Sequence, residues 1–81
     1  MTKIEVGTVL SIMKAAYPAT YKNMTNEEAI NIIELWNVVF LKDEFEKVNE
    51  AVIKLITELK FPPTIAEIKE EIKPKLFYPE E

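Results

Sequence analysis

The 81-residue sequence contains no cysteine, no histidine, no arginine and a single glycine, Gly7. Without cysteine there is no disulfide and no thiolate metal site. Without histidine the commonest general base and the commonest transition-metal ligand are both missing. One glycine excludes a glycine-rich phosphate loop. All basic residues are lysine, 10 against 14 acidic residues, for a net charge of −4. Arginine is the preferred residue for bidentate contacts to guanine and phosphate. An acidic chain lacking it is poorly suited to direct DNA binding, and a protein is the expected partner. Glu5 and Lys14 interrupt the N-terminal apolar residues, so no secretory signal is present. No apolar run approaches the length of a membrane span. The chain therefore reads as soluble and cytoplasmic. Cofactors are not expected.

What is present is a set of helix-start signals. A Thr or Asp followed three residues later by Glu forms a capping box, in which each side chain bonds the other residue's backbone N–H. Four such pairs precede apolar residues at helical spacing: Thr2 with Glu5, Thr25 with Glu28, Asp43 with Glu46, and Thr64 with Glu67. Breaks stand between them. Pro18 ends the first segment. Pro62 and Pro63 each bar an α conformation at the preceding residue, so the third segment must stop near Lys60.

These signals predict an all-α fold, a compact bundle of four helices near 3–17, 26–41, 44–60 and 65–73, the fourth short. The first carries Val6, Val9, Leu10, Met13 and Tyr17 on one stripe, with Gly7 marking a close approach of another helix. The second carries Ala29, Ile32, Ile33, Trp36 and Phe40, with Leu35 and Val39 widening the face. The third carries Phe45, Val48, Val52, Leu55, Ile56 and Leu59, and the fourth Ile65, Ile68 and Ile72. The expected core contains Val9, Leu10, Met13, Ile33, Trp36, Phe40, Val52, Leu55, Leu59 and Ile68. The short Leu41-Lys42 link predicts that the second and third helices form a close pair. Residues 19–24 read as a loop, with Tyr21 and Met24 against the bundle. At this length there is one domain. Its helical part is expected over residues 1–73, with 74–81 as a C-terminal tail or strap.

Few residues invite a chemical role. Trp36 lies at the centre of a helix stripe and reads as core rather than as a ligand platform, since large aromatics dominate small cores. Asp43, Glu44 and Glu46 lack the turn glycine of a calcium loop and read as acids at a helix N-terminus, as do Glu27 and Glu28. Ser11 and Lys14, three apart on one helix, have no oxyanion-hole signature beside them, and a solvated lysine is protonated at neutral pH. The expectation is no enzymatic activity. Two surfaces are candidates for a partner. One is the stretch Lys75, Leu76, Phe77 and Tyr78, apolar and outside any regular helix, whose competing role is a strap on the bundle. The other is the apolar surplus of Ile12, Ala16, Ile30 and Val38, off the main stripes.

The order and spacing of several elements carry a resemblance. They are the Tyr17-Pro18 break, the helix with Glu34-Leu35-Trp36, the Leu41-Lys42-Asp43 link and the segment Phe61-Pro62-Pro63-Thr64-Ile65-Ala66-Glu67-Ile68. From Ile4 to Ile72 the pattern resembles the N-terminal domain of the phage family that loads and inhibits replicative helicases. The resemblance implies a small helical adaptor without catalysis of its own. It would bind a hexameric replicative DNA helicase, hold it inactive and deliver it to an origin-bound replisome organiser. It would do so in the cytoplasm of a bacterial host. The chain itself is expected to be a monomer, and its charge balance disfavours contact with nucleic acid. Family members carry a longer C-terminal tail needed for helicase contact, whereas this sequence runs to Glu81, so the role transfers and a set of contact residues does not. A rival reading is a small acidic inhibitory protein that binds another host factor through Glu27, Glu34, Glu50, Glu67, Glu70 and Glu71.

Overall fold

The computed structural model describes residues 1–73, so the tail stretch from Lys75 to Tyr78 lies outside the described residues. Five helices follow in order: α1 (Lys3–Ala16), α2 (Pro18–Tyr21), α3 (Asn26–Val39), α4 (Phe45–Ile56) and α5 (Ile65–Ile72). Among the described residues there is no strand. Four of the helices are the ones anticipated, although α3 and α4 end earlier than expected, at Val39 and Ile56 rather than near 41 and 60. The fifth, α2, is a single turn inside the stretch read as a loop. Proline supplies its start, because the missing N–H is not needed at a first helical position.

Three capping boxes form as the spacing predicts. Thr2, Thr25 and Thr64 each accept from the backbone N–H three residues on, and Glu5, Glu28 and Glu67 each accept from the threonine N–H. The fourth does not form. Helix α4 starts one residue later, at an N-cap Glu44 whose side chain makes no capping bond. The Asp43 carboxylate is instead taken by Lys69 of α5, at 2.8 Å. A tertiary ion pair has outcompeted a local cap.

Helix α1 packs against α3, α4 and α2, and α4 packs in turn against α5. The short link between α3 and α4 therefore does not make them the principal pair. The N-terminus shows why α1 takes that place. The Met1 ammonium donates to the carbonyls of Phe40 (2.9 Å), Leu41 (3.3 Å) and Asp43 (2.7 Å), which binds the start of α1 to the end of α3. Carbonyls at a helix C-terminus have no intrahelical donor, and a cation there is favoured by the macrodipole. At the other end of α1, Pro18 forces Tyr17 out of helical conformation. The Tyr17 hydroxyl then donates to the Leu59 carbonyl at 2.9 Å, joining the α1–α2 corner to the chain beyond α4.

Val6, Val9, Phe40, Val48, Val52 and Ile68 are fully buried, with Met13, Leu10, Trp36, Leu55, Ala51 and Met1 close behind. Of the expected core residues, Ile33 and Leu59 are only half-buried, packed on its edge. Leu35 departs further. The sequence pattern puts it on the widened inner face of α3, and the fold leaves it exposed. Gly7 is not a point of close approach either, since a Cβ there would meet nothing within 4 Å. Tyr21 is half-buried against the core, as anticipated.

Candidate partner-binding surface

Helix α3 joins the core through Trp36 and Phe40, one turn apart on its inner face, with ring centroids 5.3 Å apart and planes inclined by 48°. Lys69 reaches across from α5, its Nζ 4.9 Å from the Phe40 ring centroid and 2.8 Å from Asp43 Oδ2. The ammonium thus meets an aromatic face and a carboxylate together. Trp36 is a core residue, with no open face to serve as a ligand platform.

The outer face of α3 is unusual. Ile30, Leu35, Val38 and Leu41 are 54%, 55%, 71% and 60% exposed. Helical spacing puts Ile30, Glu34 and Val38 in one row, with Glu27, Asn31 and Leu35 in the row beside it, and Leu41 follows in the turn after the helix. Glu27 and Glu34 form no ion pair among the described residues. Ile30 and Val38 are visible in the sequence as apolar residues off the main stripe. Leu35 and Leu41 are not, because the apolar arc of α3 is too wide for one core and nothing local says which edge is left out. Ile12 and Ala16, the rest of that surplus, divide: Ile12 packs on the core and Ala16 is exposed.

Between α4 and α5 lies an open groove of about 350 Å³, lined by Lys47, Glu50, Ala51, Lys54, Glu71 and Ile72. Lys54 and Glu71 bridge it at 2.8 Å. Its hydrogen bond to Glu71, and the charge of that carboxylate, push the Lys54 ammonium above the usual lysine range. The lining holds both signs of charge, an arrangement that neutralises itself rather than selecting an ion.

The acidic residues of the rival reading do not form one free face. Glu27 and Glu34 stand on α3, whereas Glu70 pairs with Lys73, Glu71 with Lys54, and Glu67 caps α5. Of the candidate carboxylate cluster, Asp43 is held by Lys69. Among the described residues no group of three or more acidic side chains is placed to hold a metal ion. Ser11 and Lys14 are both exposed on α1. Nor is any described helix long and apolar enough to cross a membrane.

The described residues thus form a small helical domain with a mixed-charge groove and an uncovered apolar helix face. The family comparison is more specific. Residues 1–69 match the N-terminal domain of a family of phage helicase loaders and inhibitors, and the chain belongs to that family. The family's role in DNA replication is a non-catalytic one. No curated protein and no solved structure matches the chain.

Proposed function

We propose that the chain is a phage or prophage replication adaptor that binds a hexameric replicative DNA helicase, restrains it, and passes it to an origin-bound replisome organiser. Membership of the helicase loader/inhibitor N-terminal-domain family over residues 1–69 is the observation that carries this reading. The excess of acidic residues and the absence of arginine support a protein partner over nucleic acid. The adaptor acts as a monomer in the bacterial cytoplasm. Residues 1–73 form its helical domain, and Lys75, Leu76, Phe77 and Tyr78 in the segment 74–81 supply a contact to the helicase.

The test uses the purified chain and the cognate helicase. The chain should bind the hexamer and lower its ATPase or unwinding rate, with no ATPase of its own. Removing residues 76–81 should weaken binding while circular dichroism stays helical. If the shortened chain loses its helical signal, those residues serve the fold and not the contact. If the intact chain leaves the helicase unbound, the adaptor reading fails. A pull-down from host lysate that instead yields an unrelated protein would support the rival, a small acidic inhibitor of another host factor.

A further inference from the structure

We infer that the outer face of α3, with Ile30, Leu35, Val38 and Leu41 set beside Glu27 and Glu34, docks an amphipathic helix of a partner protein whose apolar stripe is flanked by lysine or arginine. The inference rests on the function proposed above for its probes, and adds a second contact surface distinct from residues 75–78.

Isolated exposed aliphatic side chains are ordinary, but a row of them on one face is the mark of a contact surface. Here four large aliphatic residues share the outer side of one helix and its C-terminal turn, each more than half exposed. The opposite side of the same helix fills the core with Trp36 and Phe40, so α3 cannot roll to hide them. Ile4, also strongly exposed, stands at the same end of the molecule as Val38 and Leu41, because the Met1 ammonium ties α1 to the carbonyls of Phe40 and Leu41.

Charge selects the occupant. Helix α3 holds Glu27, Glu28 and Glu34 and no lysine, and Glu28 is occupied by its cap. Among the described residues Glu27 and Glu34 form no ion pair, Glu34 standing within the row between Ile30 and Val38 and Glu27 beside it. A helix with leucine-like residues at i, i+3, i+4 and i+7 and basic residues on its flanks would cover the row and neutralise both. A second copy is a poorer occupant. In a two-fold antiparallel pairing centred on Glu34 and Leu35, Lys42 can meet Glu27 of the other copy, but Glu34 falls beside its own equivalent. The fourteen-residue helix is also only about 21 Å long. One face of it offers far less than the roughly 800 Å² per partner of a stable dimer, whereas it matches the length of one docked helix.

Because the chain has no cysteine, a single introduced thiol reports one position. A polarity-sensitive dye on Val38→Cys, and for comparison on the exposed Glu58→Cys beyond α4, is titrated with the cognate helicase and, separately, with the origin-binding organiser. Binding should brighten and blue-shift the dye at 38 and leave that at 58 unchanged. Unlabelled Leu35→Ser/Val38→Ser should bind the same partner at least ~10-fold more weakly, with an unchanged helical spectrum because both positions are exposed. Glu27→Lys/Glu34→Lys should weaken binding and flatten its salt dependence. If both double variants bind like the unaltered chain while removal of 76–81 abolishes binding, the α3 inference fails and the adaptor reading stands. If the unaltered chain binds neither protein, the adaptor reading falls and takes this inference with it. Sedimentation as a dimer that Leu35→Ser/Val38→Ser converts to monomer would assign the face to a second copy and overturn the proposal.

Discussion

Trp36 and Phe40 fasten α3 to the rest of the molecule, and single substitutions there bear directly on folding. Trp36→Ala removes a buried aromatic and its contact with Phe40. The expected loss is about 3–5 kcal/mol, a large share of the stability of a domain this size. Urea denaturation followed by far-UV circular dichroism measures it; a loss under about 1 kcal/mol would mean that Trp36 is peripheral. Gly7 should respond in the opposite sense. It lies within α1, has no positive φ, and has open space where a Cβ would stand. Alanine has the higher helix propensity, so Gly7→Ala should raise stability by about 1 kcal/mol. The urea midpoint should move up at an unchanged slope. Both effects belong to one side chain and its immediate surroundings.

At the scale of the helix, the capping signals differ in what they contribute. Thr25 accepts the Glu28 N–H at 3.1 Å, and Glu28 accepts the Thr25 N–H at 3.1 Å. Thr25→Ala should cost about 1 kcal/mol. Glu46 occupies the same position in its sequence motif, yet α4 begins at Phe45 after an N-cap Glu44 that makes no side-chain cap. Glu46→Gln should therefore change stability by no more than about 0.5 kcal/mol, the share a surface charge owes to the helix dipole. Matched thermal melts of the two variants decide the point: equal losses would restore the Asp43–Glu46 capping box. The difference arises because Asp43 is shared between a local and a distant claim. Lys69 holds its carboxylate and also lies over the Phe40 ring, so the pairing fastens α5 to the end of α3.

For the molecule as a whole, the packing of α1 against α2, α3 and α4 makes the N-terminal half the organising part of the core. Tyr21 of α2 reports on that packing through its titration. Burial, and next the charge of Tyr17, push its phenol above the ordinary range. The unfolded chain then sheds this proton first as pH rises. Stability is unaffected below about pH 10, and declines from there until the folded-state phenol also ionises. Tyr21→Phe should flatten that alkaline decline, read as the urea midpoint between about pH 9 and 11. An unchanged slope would show that the tyrosine is not desolvated in the folded state. The exposed Lys54–Glu71 pair should matter little in comparison.

The starts of α1, α3 and α5 and the stop at Pro18 are determined locally, so they are legible in sequence, whereas α4 starts without its expected cap and ends at Ile56, four residues before Lys60. A threonine with glutamate three residues on completes its hydrogen bonds within one turn, and proline acts on the residue beside it. The same holds for the inner stripes of α1, α4 and α5, where one face is clearly apolar. Family membership is also carried by the sequence, over residues 1–69. Three features were decided only by tertiary contact. Asp43 went to Lys69, 26 residues away. Helix α1 packed against both α3 and α4 in place of the pairing that the short link suggested, with the Met1 ammonium on the α3 carbonyls. The broad apolar arc of α3 was divided between Trp36 and Phe40 inside and Leu35 and Leu41 outside. Each depends on which groups from distant parts of the chain win a shared partner or surface, and no local pattern encodes that competition.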